Sequence, residues 1–251
     1  MGSIVDRPSH EPVVIFFDLD DTIFDHSRTC RAALGELRRA EPRFRSMPLD
    51  RLWRRYLERL GETDLTLGYA RTQPAAYEAA RAARFLGLAE EAGWSATPAD
   101  GERLSALYRA HYQRRRRAIP GAIPLVRTLA REHPVGVITN NQVAEQEEKL
   151  RFLGLREFVA PLVVSEAVGA EKPDPTIFRH ALRAAGVAAA RAVMVGDSWS
   201  NDVLGARAVG MHPVWFNRFG ASAPTRHRVP VLRSFSPAPA VASLLRGLPG
   251  R

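Results

Sequence analysis

Val13-Val14-Ile15-Phe16-Phe17-Asp18-Leu19-Asp20-Asp21-Thr22 carries five apolar residues into two carboxylates, Asp18 and Asp20, two residues apart. A continuous, β-branched and aromatic run of this length reads as a strand buried on both faces, as in parallel sheets. Packing gives no reason for such a strand to end in paired acids. A lone Asp-x-Asp is common where a turn opens or a helix is capped, so the rest of the chain must decide between punctuation and chemistry.

Four further runs share this character: Val135 to Thr139, Leu162 to Val164, Ala192 to Val195 and Pro213 to Phe216. Helix-period segments separate them, over Ile123 to Glu132, Val143 to Leu153, Pro175 to Ala185 and Asn201 to Val209. The alternation predicts an α/β fold, a doubly wound parallel sheet with right-handed crossovers. From 27 to 117 it stops, and Thr29 to Arg39, Leu49 to Leu60, Pro74 to Leu86 and Pro98 to Arg117 read as helices with no strand between them. The expected organisation is a core of residues 1–26 and 118–251 and an inserted all-helical cap of residues 27–117. Turn chemistry at Asp25-His26 and Ile119-Pro120-Gly121 flanks the insert, which would let it move as a unit. Residues 1–10 are expected to be mobile. The Pro- and Ser-rich stretch Asn217 to Arg251 is expected to hold a weak final helix near Val241 to Leu245.

Composition narrows the function. With 251 residues, 45% of them hydrophobic, the chain can bury a full core. It has no apolar run long enough to span a bilayer, and the N-terminus MGSIVDRPSHEP lacks the apolar centre of a secretory signal, so a cytoplasmic protein is expected with no membrane role. The one cysteine, Cys30, reads as a small core residue. A net charge of +9 raises nucleic acid as a partner. Only Lys149 and Lys172 are lysines, however, and the arginines are scattered along helical segments near glutamates, the pattern of solvated, paired helix faces. No nucleic-acid partner is expected.

Three elements follow Asp18-x-Asp20, each at the end of a later strand or in the loop beyond it: Ile138-Thr139-Asn140, Glu171-Lys172-Pro173, and Gly196-Asp197 through Asp202. In open α/β sheets ligands bind outside the carboxyl ends of the strands, and all four elements belong there. Asp18, Asp197 and Asp202 offer hard oxygen ligands suited to Mg²⁺. A carboxylate nucleophile meets a dianionic phosphate ester against charge repulsion, which Mg²⁺ and Lys172 would offset. Thr139 and Asn140 can donate to phosphoryl oxygens.

These four motifs in this order resemble the haloacid dehalogenase-like hydrolase superfamily across nearly the whole chain, and the helical insert resembles the cap of its first subfamily. The text Leu162-Val163-Val164-Ser165-Glu166-Ala167-Val168-Gly169-Ala170-Glu171-Lys172-Pro173 is similar to the branch of pyrimidine 5'-nucleotidases and N-acylneuraminate-9-phosphatases. The resemblance implies a sheet order of 3-2-1-4-5, with Asp18 beside Asp197 on adjacent strands. It implies Asp18 as nucleophile and Asp20 as acid then base, the Asp20 backbone carbonyl also ligating the metal. Thr139 would hold the phosphoryl group, Lys172 would tie nucleophile to phosphate, and Asp197 would bind Mg²⁺. Asp202 is left open between ligating directly, acting through water and orienting Lys172.

The implied reaction is Mg²⁺-dependent hydrolysis of a small phosphomonoester, a nucleoside 5'-monophosphate or sugar phosphate. Dehalogenases of the superfamily lack an acid at the Asp20 position. Phosphonoacetaldehyde hydrolases use a cap lysine, and residues 27–117 contain none. A phosphomutase and a non-catalytic binding module are the alternatives; the second would be marked by a lost motif residue, and none is lost. Asp25 and His26 read as a solvated loop. Trp199 is left unassigned, Arg114 to Arg117 read as facing a helix C-terminal dipole, and Phe16, Phe17, Trp53, Tyr56, Phe85 and Leu86 as packing. Neither substrate identity nor oligomeric state follows from the sequence.

Overall fold

The computed structural model describes residues 13–67, 74–224 and 228–250, so the first ten residues, expected to be mobile, lie outside the described part. In chain order the elements are β1 (Val14–Phe17), α1 (His26–Ala40), α2 (Leu49–Leu67), α3 (Pro74–Glu91), α4 (Pro98–Arg115), α5 (Ala122–Leu129), β2 (Val135–Thr139), α6 (Val143–Phe152), β3 (Leu162–Val164), α7 (Ser165–Val168) and α8 (Pro175–Ala185). There follow β4 (Ala192–Gly196), a wide π-type turn over Trp199–Leu204, α9 (Gly205–Ala208), β5 (His212–Phe216), β6 (Val231–Leu232) and α10 (Ala238–Arg246).

Every residue of β1 is buried because alternate side chains serve two cores. Ile15 and Phe17 pack with Val137, Val195, Val214 and residues of α5 and α10 on one face. Val14 and Phe16 pack with Ile138, Met194, Ile177 and Phe178 on the other. Helices on both faces explain the unbroken apolar run. Burial of each phenylalanine contributes about 1.5–3 kcal/mol.

The sheet is parallel, in order β3-β2-β1-β4-β5-β6. The five expected strands stand in the expected order, and a sixth corrects the reading of the tail. Val231 and Leu232 extend the edge beside Trp215 and Phe216, Phe235 stacks on Phe216 with centroids 4.1 Å apart, and α10 buries Val241, Ala242 and Leu245. A two-residue strand between loops has too few positions to display a period. The segment expected as a helix from Asn201 to Val209 also differs. It begins at Trp199 as a wide turn, because Asp202 Oδ2 accepts from the Ser198 amide at 2.9 Å and Ser198 Oγ accepts from the Asn201 amide at 3.2 Å. Such turns gather at functional sites.

Helices α1 to α4 build a separate core from Leu34, Leu37, Phe44, Leu52, Phe85, Leu104 and Tyr108. Thr97 and Asp100 start α4 with a reciprocal capping box. Where the chain returns to the sheet, the Ile119 amide donates to Ile23 O at 2.8 Å, so the exit is fastened to the entrance. Trp199 packs edge-on to Trp215 at 5.0 Å.

Gly136 lets Phe16 lean across β2: a Cβ there would stand 2.6 Å from the Phe16 ring and 3.1 Å from the Pro161 carbonyl oxygen. Gly136→Ala is expected to lower unfolding free energy by about 1–3 kcal/mol, measured by urea denaturation. An unchanged midpoint would show that the sheet interior yields without cost.

Candidate active site

The register that sets Phe17 opposite Val195 delivers Asp18 to the end of β4, where its amide donates to Val195 O at 2.9 Å. Asp202 folds back over Gly196, where a Cβ would come within 2.2 Å of its carboxyl group. Lys172 Nζ then donates to Asp18 Oδ1 and to Asp202 Oδ1, each at 2.6 Å. Asp18, Asp197 and Asp202 each bring a carboxylate oxygen to within 4.8 Å of the others. Asp18, Lys172 and Asp202 are buried. The Asn140 side chain fastens the Lys172 loop, accepting from the Lys172 amide at 2.7 Å and donating to its carbonyl at 2.9 Å.

Three acids around one ammonium leave a shortage of positive charge. Burial pushes the Asp18 carboxyl up to about 7; Lys172 opposes that shift and Asp202 adds to it. Burial, then the Asp18 and Asp202 charges, raises Asp197 to about 8. Lys172 is pushed above its ordinary value because Asp18 and Asp202 outweigh burial. Clustered carboxylates with raised proton affinity and hard oxygen donors fit a divalent cation, which takes the place of the protons.

Asp20 meets a different environment. Lys149 Nζ lies 2.8 Å from both carboxylate oxygens, and Gln146 Nε2 donates to Oδ2 at 3.2 Å and to Thr139 Oγ1 at 2.6 Å. His26 Nδ1 is 3.8 Å away. Burial favours a protonated Asp20, but Lys149 and His26 outweigh it and hold the carboxyl down at about 2. Burial favours a neutral His26, yet its Cys30 and Asp20 neighbours lift it to about 10.

Sequence reasoning missed Lys149 and Gln146, which project from α6. The signal was present: the chain has two lysines among 36 basic residues, and both sit in this site. The solvated-loop reading of Asp25 and His26 is corrected. Asp25 is fully buried, and Arg218 donates to Asp25 Oδ1 and Asp21 Oδ1, each at 2.8 Å. Asp21 takes a left-handed conformation (φ 59), tolerated by Asp and supported by the Ser27 amide at 2.9 Å. Arg218 thereby fastens the turn that aims Asp20.

Beside Asp20, between α6 and the helical insert, lies a cavity of about 60 Å³ bounded by His26, Lys149 and four tyrosines, Tyr56, Tyr77, Tyr108 and Tyr112. Asp197→Asn and Asp202→Asn are each expected to weaken binding of Mg²⁺ by about tenfold or more, measured by titration calorimetry. Affinities matching the parent protein would remove the cation from this cluster.

A family model described as haloacid dehalogenase-like hydrolase matches residues 13–210. A glyceraldehyde 3-phosphate phosphatase from Pyrococcus furiosus is 33% identical over 209 residues, covering 81% of this chain and 80% of that protein. A phosphoserine phosphatase from Thermus thermophilus is 33% identical over 229 residues, 82% of this chain and 88% of that one. The Escherichia coli pyrimidine 5'-nucleotidase YjjG is 39% identical over 100 residues, 39% of this chain and 44% of that one. The magnesium-bound structure of the HAD-hydrolase YfnB from Bacillus subtilis superposes with a TM-score of 0.72 at 24% identity, over 94% of this chain and 99% of that one, which shows the shared fold. With the family model spanning residues 13–210 and two phosphatases each 33% identical over about four-fifths of the chain, this protein belongs to the haloacid dehalogenase-like hydrolases.

Proposed function

We propose that this chain dephosphorylates a small phosphomonoester with the help of Mg²⁺, through an aspartyl-phosphate formed on Asp18. The chain is a phosphoric monoester hydrolase, as its family and relatives indicate. The observation that carries the finer reading is the division of labour between two acids two residues apart. Asp18 lies against Lys172 and two further carboxylates, while Asp20 is turned away from them onto Lys149.

Asp18 attacks phosphorus, the bond from phosphorus to the ester oxygen breaks, and that oxygen leaves with a proton from Asp20. Asp20, now a carboxylate, takes a proton from the water that attacks the aspartyl-phosphate, which releases phosphate and restores Asp18. Lys149 favours the carboxylate form needed for the second half. In the first half, the incoming phosphate dianion raises the proton affinity of Asp20 by like-charge repulsion. Gln146 keeps Asp20 and Thr139 in a fixed relation, and Thr139 donates to the phosphoryl group. Lys172 offsets charge on nucleophile and phosphate. Asp18, Asp197 and the Asp20 carbonyl, with Asp202 assisting, would hold Mg²⁺, which would supply the further positive charge that offsets the phosphate and its transition state. The Lys172 hydrogen bond to Asp202 supports the reading in which Asp202 orients Lys172, and its place in the acidic cluster supports a share in holding the metal.

Residues 27–117 serve as a cap that closes over this site, and the cavity lined from both the insert and α6 supports that reading. The cavity beside Asp20 is small, about 60 Å³, which favours a short leaving group such as that of a small sugar phosphate over a nucleoside.

Phosphate release across a panel of monoesters is expected to require Mg²⁺. Asp18→Asn is expected to reduce it by about a thousandfold or more while circular dichroism stays unchanged. Retention of a tenth of the rate in that variant would rule out the covalent route.

A further inference from the structure

Two polar groups that line the cavity beside Asp20 have no partner. Glu145 reaches it from the first turn of α6, half-buried, and its carboxylate makes no hydrogen bond or ion pair among the described residues. Tyr77 reaches it from α3. Its ring carries the Arg81 guanidinium at 5.3 Å, but its hydroxyl has no hydrogen-bond partner among the described residues. The other three tyrosines are engaged, since the Tyr56 and Tyr108 hydroxyls lie 3.1 Å apart and Tyr112 Oη lies 2.9 Å from His26 Nδ1. An acid in the first turn complements the dipole of α6, which accounts for a glutamate at that place but not for a carboxylate in the cavity.

The cations around the cavity, by contrast, are satisfied. Arg81 and Arg109 both engage Glu78, Arg116 engages Glu148, and Lys149 engages Asp20. None of them waits for a second anionic group on a substrate, and Glu145 would repel one. An ammonium group is disfavoured as well, because Arg81, Lys149 and His26 line the same small space. What suits it is an uncharged group that both donates and accepts. Burial raises the Tyr77 hydroxyl and the Glu145 charge adds to that rise, so Tyr77 stays a donor near an acceptor. The two are not hydrogen-bonded to each other although both line the cavity, so a ligand group can stand between them.

Building on the phosphatase reading, we infer that Glu145 and Tyr77 recognise hydroxyl groups of the leaving group, so that the substrate is the phosphate ester of a short, uncharged polyol. A hydroxyl donates to the acceptor-only Glu145 carboxylate and accepts from Tyr77, a charge-assisted bond on one side and a neutral one on the other. The tyrosine rings cover the carbon skeleton, and the small cavity keeps that skeleton to a few atoms from the ester oxygen at Asp20. An analogue without the hydroxyls takes the place of water at Glu145 and returns no donor to it, which is the condition under which a polar site rejects a ligand strongly.

The test compares glycerol 3-phosphate with propyl phosphate, which has the same carbon chain and no hydroxyl, and with 3-phosphoglycerate, which has a carboxylate in place of the hydroxymethyl group. All are assayed with Mg²⁺, beside p-nitrophenyl phosphate as a general substrate. Glycerol 3-phosphate is expected to exceed the other two alkyl esters in kcat/KM by about tenfold or more. Glu145→Ala is expected to cut its advantage over propyl phosphate to about twofold or less, mainly through KM. Equal use of glycerol 3-phosphate and propyl phosphate by the parent enzyme, a preference for the acid, or an advantage that survives in Glu145→Ala overturns the inference. So does an equal loss on both alkyl esters in that variant, which marks a structural glutamate. If Glu145→Ala does not fold, Tyr77→Phe, which deletes one oxygen, decides by the same ratio. Turnover of p-nitrophenyl phosphate with no preference among the alkyl esters sinks this inference alone. If none of the esters is hydrolysed, the phosphatase reading fails. Calorimetric binding of glycerol 3-phosphate and propyl phosphate to the parent protein then still decides the subsite, since binding of the polyol ester tighter by about tenfold supports it and equal binding overturns it.

Discussion

Lys172, wedged between Asp18 and Asp202 at the carboxyl end of the central strand, is the contact around which this molecule is arranged. Gathering three carboxylates and an ammonium in a buried place is unfavourable by desolvation, and removing one member of such a set leaves an uncompensated charge. The scaffold holds the cluster by several independent means. Strand register brings Asp18 to the end of β4, a bare Gly196 admits Asp202, and Asn140 grips the Lys172 backbone from both sides. None of these devices improves packing, which makes their coincidence a statement about chemistry.

Within two residues the same side-chain type is given opposite properties. Burial, aided by Asp202 and opposed by Lys172, raises Asp18 to about 7, whereas at Asp20 Lys149 and His26 outweigh burial and lower it to about 2. Separation of two carboxyl groups by environment is how a single site assigns distinct roles to identical groups. Here the separation comes from the strand end. Asp18 still follows the strand toward β4, while the left-handed turn at Asp21, tied down by Arg218 and Ser27, swings Asp20 toward α6.

The large positive charge of the chain finds its explanation in two places. Most arginines on the helical insert meet glutamates or aspartates, as Arg55 does Glu91 and Arg103 does Glu41, and such exposed pairs contribute about 0–1 kcal/mol each. Three of these paired arginines, Arg81, Arg109 and Arg116, also line the cavity next to Asp20, together with Lys149 and His26. There positive charge lies between aromatic rings in a low-dielectric space, where it acts far more strongly on an anion than it does in water.

The strands, most helix positions, the helices inserted between β1 and β2 and the four acidic and basic motifs were legible in the sequence, because each is written in neighbouring residues as a period or a short spacing. The five-strand order followed from the resemblance of those motifs. The two-residue β6 and the wide turn at Trp199 were not legible, since neither has a repeat and the turn depends on where Asp202 points. The surroundings of Asp20 were decided by tertiary structure alone. Lys149 reaches it from 129 positions away, and Arg218 reaches Asp25 from 193 away. Local pattern encodes which residues form a strand or a helix, but the electrostatic identity of a buried carboxyl group depends on which distant charges the folded sheet brings within a few ångströms.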